Sequence, residues 1–426
     1  MLETIKNAWR IPELRKRLLY TIVMIVIFRL GSVIPVPLLQ PDMMKEIFAN
    51  KENTLFGFIN MVSGGAFQNA TIFAMSITPY INSSIIMQLL CVAIPALERL
   101  QKEGEEGRKK IGQMMRYGTV ILALIQAIGL YFMLRSAVVN PGFISAAIIV
   151  ITFTAGTAFL MWLGEQITEK GIGNGISLII FAGIVSRGPQ LCMSLWNYAT
   201  AGTYGWIGVI AILIVAIVVV GFVVTFNDAE RRIPVQYSKR VVGRKMYGGQ
   251  NTHIPIKVTS SGVMPIIFAM SIMAFPATVC SFFGVTAASE GFWGWTLRNI
   301  FDQTSVTYGI IYFLLILFFT YFYSALQFNP IEMANNMKQN GGFVPGIRPG
   351  RPTSDFITRV LSKITLVGAI FLGLIAVLPI FLNTVVGIGG FAIGGTSLLI
   401  VVGVALETVK QLESQMLMRH YKGFLE

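Results

Sequence analysis

Few residues in this 426-residue chain have the type and spacing that covalent chemistry needs. The most suggestive motif is GIGNG (171–175), whose glycines resemble a phosphate-cradling loop. Such a loop needs Lys-Ser/Thr directly after its glycines and a strand before them, and neither is present. No HExxH or GxSxG motif occurs. Cys91, Cys192 and Cys280 lie far apart without CxxC or Cys/His spacing, so they read as free thiols rather than metal ligands or disulfide partners. The two histidines, His253 and His420, fall in a loop and in the tail. The sequence therefore calls for no metal and no cofactor.

Acidic residues are just as uninformative as a reaction centre. Ion-coupled transporters and pumps place Asp, Glu or His inside the bilayer to hold a proton or cation. Here Glu165, Glu169, Asp228, Glu230 and Glu407 fall at or near the ends of apolar runs. The polar residues within the runs are mostly neutral: Thr78, Asn82, Ser83, Ser84, Gln88, Gln126, Thr152 and Thr154. Residues of this kind join neighbouring helices, and Asn82-Ser83-Ser84 is placed to face a seam. A pore without charge can still be closed by an apolar constriction. Ile77 and Ile81 share one helix face, as do Ile176 and Ile180. The same spacing serves ordinary isoleucines facing lipid or packing between helices.

The elements that position these residues are membrane spans. The chain is 54% hydrophobic and 12% charged, which defines a polytopic membrane protein. Apolar runs predict ten spans, at about 18–36, 72–95, 116–134, 143–163, 172–186, 205–226, 262–283, 308–328, 364–383 and 396–409. The first run is followed by Pro35 and Pro37 instead of a small-residue cleavage site, so it is expected to stay as a span. Arg29 is the one charge well inside it and is expected to snorkel outward. Before it, Leu2, Ile5 and Trp9 recur at helical spacing, which suits a helix on the membrane surface.

One stretch, Phe56 to Pro95, is too long for one span and is broken at Ser63-Gly64-Gly65. A spanning helix takes about 20 apolar residues. We read a half-helix over about 56–66, a hinge, and then a full span. Non-helical backbone at membrane depth survives only where protein buries it or water reaches it, so the segment is expected to point inward. The alternative is an external loop grazing the membrane.

The net charge of +13 would suggest nucleic acid in a soluble protein, but here it lies in the connections. All but six of the 33 Lys and Arg residues fall on the side that holds both termini, which places that side in the cytoplasm. Trp293 and Trp295 on the other side suit an aromatic belt. ERLQKEGEEGRKK (98–110) reads as a charged loop. Two further loops on the cytoplasmic side, 227–261 and 329–363, exceed what a turn requires. In the first, Val235, Val241, Val242, Tyr247, Ile254 and Val258 alternate with polar residues and predict a hairpin. In the second, proline and glycine fix the backbone and present Arg348 and Arg351 at a tip. Two long basic loops on one face suit a large cytosolic partner.

MVSGGAF (61–67), TPYINSSIIMQLL (78–90), KEGEEGRKK (102–110), MWLGEQITEKGIGNGISLIIFAGIV (161–185), NGGFVPGIRPG (340–350) and GGTSLLIVVGV (394–404) closely resemble the SecY family, central subunits of protein-conducting channels. The resemblance covers nearly the whole chain. It implies an all-α fold of ten spans in two pseudo-symmetric halves, 1–190 and 191–426, around an hourglass pore. It implies a plug at about 57–67 that includes Phe58, Ile59, Met61, Val62, Ser63, Gly64, Gly65 and Phe67. A pore ring would comprise Ile77, Ile81, Ile176, Ile180, Ile267 and Ile400. Asn82 and Gln88 would line one edge of a lateral gate, with Phe275 opposite. Arg348, Arg351, Arg240, Arg244 and Lys245 would dock the SecA motor or the ribosome.

Members of the family work with SecE and SecG in the plasma membrane. They pass signal peptides and nascent polypeptides across it, release apolar segments into lipid, and catalyse no covalent reaction themselves. Two other classes remain to be distinguished on the residues alone. A small-solute transporter also uses broken helices but needs an ion-coordinating midplane site. A pore-free insertase would need neither plug nor ring. An intramembrane enzyme is the poorest of the alternatives, since the chain lacks a catalytic constellation.

Overall fold

The computed structural model describes residues 2–40, 60, 63–201, 205–237, 240–242, 245–247, 251–259, 262–282, 291–302, 305–386 and 395–422. In chain order the helices are α1 (Leu2–Arg10), α2 (Pro12–Gly31), α3 (Thr78–Ala93), α4 (Pro95–Lys102), α5 (Glu105–Met133), α6 (Phe143–Lys170), α7 (Gly175–Val185), α8 (Gly188–Ala201) and α9 (Gly205–Asp228). Strands β1 (Glu230–Tyr237), β2 (Arg240–Val242), β3 (Lys245–Tyr247) and β4 (Asn251–Lys257) follow. Then come α10 (Met264–Phe282), α11 (Phe292–Asn299), α12 (Val306–Gln327), α13 (Pro330–Gln339), β5 (Gly342–Phe343), α14 (Arg351–Val386) and α15 (Gly395–Lys422). Pro12, Pro79, Pro95 and Pro330 stand in the first turns of their helices, where the missing N–H has no helical partner to lose.

Each predicted span has a helix within it. Among the described residues, six stretches are long and apolar enough to cross a bilayer, or seven if α3 and α4 count as one broken span. Helices α2 and α15 are apolar over only part of their length, and α10 is apolar but short among the described residues. Arg15, Lys16 and Arg17 occupy the first turns of α2, while Glu407 stands near the middle of α15 and Lys410 and Glu413 in its second half.

Several boundaries differ from the sequence reading. The second span begins at Thr78 and not Ile72, because residues 72–77 run as turns. It ends at Ala93, where α4 bends away by 102° ahead of Pro95. The charged stretch 98–110 is helical on both sides of a break at Gly104, which takes φ +86°. Much of 329–363 is helix as well, in α13 and the start of α14.

The chain forms two compact units. The first comprises Met1–Leu213, Met270–Tyr308 and Ile400–Glu426, and the second Ile214–Ala269 and Gly309–Leu399. In the first, α5 and α6 pack side by side, with α3 against α5 and α7 against α6. Its core joins Phe67, Ala70, Ala74 and Met75 to Ala123, Ala127, Leu130, Tyr131, Ile149 and Phe153. A smaller cluster seats α1 and α2, through Ala8 and Leu14, on Ile172 and Leu412. In α5 and α6, Arg116 Nε meets Glu165 Oε1 at 2.8 Å.

The second unit carries a three-stranded antiparallel sheet in the order β4-β1-β5. The predicted hairpin is present: Ile233 pairs with Ile254 and Val235 with Thr252, and β2 with β3 forms a separate ribbon between them in sequence. Gln236 and Tyr237 then pair with Phe343 and Gly342 of β5. The two long loops, read separately in the sequence, are thus one module. Ile233, Val235 and Ile256 from the first share a core with Met337, Val344, Ile357 and Leu361 from the second. Phe226 stacks on Phe371 at 3.6 Å, anchoring the end of α9 to α14.

Candidate functional site

The broken segment between α2 and α3 is the distinctive site of the first unit. Asn60 is helical, but Ser63–Ala70 run as turns, so the predicted half-helix does not extend through Gly64-Gly65. Phe58, Ile59, Met61 and Val62 lie outside the described residues. Local hydrogen bonds replace the helical ladder. Asn60 O accepts from Gly65 N at 2.8 Å and from Ser63 Oγ at 3.1 Å. Asn60 Oδ1 accepts from Gln68 N at 3.1 Å, and Ser63 Oγ accepts from Phe67 N at 3.2 Å. Thr71 donates both N–H and Oγ1–H to Ala66 O.

The segment is tied to the residues after α2. Val36 N donates to Ala70 O at 2.8 Å, and Ile72 N to Ile34 O at 3.0 Å. Ser63, Ala66, Phe67, Ala70, Thr71, Phe73, Ala74, Ser76 and Ile77 are all buried. This burial argues against a loop lying on the outside of the protein, and it fits the requirement that non-helical backbone at membrane depth be enclosed. The winding is tight enough to put Ala70 (φ +48°) and Ser76 (φ +52°) in the left-handed region.

Arg29 departs from expectation. Its guanidinium does not snorkel outward. Nη1 donates to Ser186 Oγ at 2.9 Å and to Gly64 O at 3.4 Å. Ser186 Oγ in turn donates to Gly183 O at 2.6 Å. An arginine among apolar neighbours goes where acceptors are concentrated, and here those are a serine hydroxyl and a backbone carbonyl. Nothing in the sequence paired residue 29 with residue 186.

GIGNG is a packing and turn device, as its lack of a phosphate-loop context suggested. Ile172 N donates to Thr21 Oγ1 at 3.1 Å, and Gly173 makes the turn at φ +86°. Asn174 Oδ1 caps α7 by accepting from Ile176 N at 3.1 Å and Ser177 N at 3.4 Å. Gly175 lies against the Gly164 carbonyl of α6, with no room for a Cβ.

Of the proposed ring residues, Ile77, Ile81, Ile180, Ile267 and Ile400 are buried, and Ile176 is half-buried beside Gly164. Ser83 does face a helix seam, donating to Met115 O of α5 at 2.8 Å. Gln88, by contrast, donates to Ser84 Oγ one turn back, and Thr152 and Thr154 bond carbonyls of their own helix. Asn82 is half-buried on α3, and Phe275 is exposed on α10 just before Pro276. In the second unit, Arg348 and Arg351 are exposed, and Thr353 Oγ1 donates to Arg348 O at 2.8 Å. Arg240 and Lys245 fall in β2 and β3, while Arg244 lies outside the described residues.

A set of apolar helices with a buried, wound interruption defines a polytopic helical membrane protein. The family model for SecY matches residues 71–409. The chain is 46% identical to the protein translocase subunit SecY of Streptomyces coelicolor, with all of both chains covered. It is 44% identical to that of Bacillus subtilis, again over both full lengths. A solved structure of a protein-conducting channel aligns with TM-score 0.68 at 20% identity, covering 94% of this chain and 92% of the other. Sec61 in the canine ribosome-channel complex aligns with TM-score 0.64 at 18% identity over 94% and 92%. These two show the fold. The chain belongs to the SecY family.

Proposed function

We propose that the chain is the channel-forming subunit of a protein translocase. It passes unfolded secretory polypeptides across the plasma membrane and releases apolar segments sideways into lipid. The observation that carries this reading is the buried, non-helical segment 63–77 in the core of the first unit. An ordinary spanning bundle has no use for backbone removed from its helical ladder, whereas a closable path does.

In this reading residues 57–67 are the plug. Ile77, Ile81, Ile176, Ile180, Ile267 and Ile400 form an apolar constriction that seals around a passing chain. Asn82, Gln88 and Phe275 line a lateral gate. The halves 1–190 and 191–426 are pseudo-symmetric, and both termini are cytoplasmic. The basic module that carries Arg348, Arg351, Arg240, Arg244 and Lys245 docks the SecA motor or the ribosome, which supplies the energy. SecE and SecG accompany the chain, and SecA hydrolyses the ATP.

The test places a photo-crosslinking amino acid at Ile180, with Val215, exposed on α9, as control. A secretory precursor is stalled midway in vesicles containing the complete translocase, SecA and ATP. Crosslinking at 180 but not at 215 is expected. Transport without crosslinking at 180 removes the ring assignment, and no entry of precursor removes the channel reading.

A further inference from the structure

We propose that Arg29 is the latch that holds the broken segment in its closed position, a reading that rests on residues 57–67 acting as the plug. The guanidinium joins two parts of the first unit distant in sequence: the turn at Gly64 and the end of α7 at Ser186. Ser186 is itself oriented by donating to Gly183 O, which leaves an oxygen lone pair for Arg29. The cationic side chain thus takes its hydrogen bonds from a closed conformation and loses one of them when residue 64 moves away.

Gly64 is fitted to this clasp. It adopts φ +65°, and a Cβ there would fall 2.7 Å from Ser186 Oγ, 2.8 Å from Arg29 Nη1 and 2.9 Å from Gly183 O. Only a residue without a side chain lets the backbone come this close. A second, independent observation concerns what is being held. Ala70 and Ser76 sit at positive φ, and Ser76 Oγ is buried with no hydrogen-bond partner among the described residues. Backbone conformations of this kind persist where surrounding contacts over-determine them. Part of that restraint is the Arg29 clasp, and breaking it lets the segment relax out of its wound form.

The experiment compares resting ion leak through the complete translocase in vesicles for the parent, Arg29→Gln, Ser186→Ala and a variant lacking residues 60–67. In parallel, Ala66→Cys, buried at 0% exposure, is placed in a chain with Cys91, Cys192 and Cys280 replaced. Its labelling by a membrane-impermeant maleimide reports departure of the segment. Losing one charge-assisted hydrogen bond shifts a two-state population by roughly tenfold. Arg29→Gln is therefore expected to raise both leak and labelling by about that factor, with Ser186→Ala in the same direction and the two together less than additive. If the deletion leaks while Arg29→Gln neither leaks nor labels faster, the latch is overturned and the plug reading stands. If the deletion does not leak, the plug reading falls and the latch with it.

Discussion

Gly175 at the start of α7 rests directly on the backbone carbonyl of Gly164 in α6, with Ile176 Cδ1 lying over the same glycine. Two helices meet here backbone to backbone at Gly175, with the Ile176 side chain filling the space that Gly164 leaves open. Close approach through small residues is how helices associate where lipid is as apolar as leucine.

Gly175→Ala forces α6 and α7 apart, because the obstructing atom is backbone and cannot rotate away. Overpacking of this kind costs about 1–3 kcal/mol. A lower melting temperature of the detergent-purified protein is expected, measured by fluorescence-detected aggregation. Gly188→Ala serves as control, because Gly188 is half-buried but has open space where a Cβ would stand.

Asn174→Ala removes the cap that Ile176 N and Ser177 N rely on. Loss of such a cap costs about 1 kcal/mol. Asn174→Asp keeps the accepting oxygen and is expected to retain most of that stability. Equal destabilisation by both variants in a denaturation series removes the capping account.

Ile256→Ala empties part of the core shared by the two long loops. Truncating a buried isoleucine costs about 2–5 kcal/mol. Faster cleavage in both 227–261 and 329–363 is expected on limited proteolysis of open vesicles, since the two loops fold as one body. Cleavage confined to the first loop argues against a joint module.

Arg348→Glu reverses the charge of an exposed residue that is proposed to dock the motor, without touching a buried contact. Motor-driven precursor uptake is expected to fall by an order of magnitude or more, with membrane insertion and yield of the protein unchanged. Thr353→Ala, which frees the Arg348 carbonyl from its 2.8 Å restraint, is expected to give a smaller loss. Undiminished uptake by Arg348→Glu would move the docking assignment elsewhere on the module.

The sequence by itself determined the membrane class, the positions of the apolar helices and the break at Gly64-Gly65. Each of these is a local property: a run of apolar side chains, a proline at a first turn, glycines where no helix can continue. Alternation from Val235 to Ile254 was enough to place the hairpin for the same reason. Only the tertiary structure decided where Arg29 turns, because its partners Gly64 and Ser186 lie 35 and 157 residues away and carry no charge to advertise the pairing. The fusion of the two loops also came from tertiary structure. A two-residue strand such as Gly342–Phe343 has no periodicity to read, and it forms because Gln236 and Tyr237 offer it an edge. The polar residues of the spans behave alike. Ser83 and Thr152 each offer one hydroxyl, and whether it crosses to a neighbour or bonds its own helix depends on how close the next backbone comes.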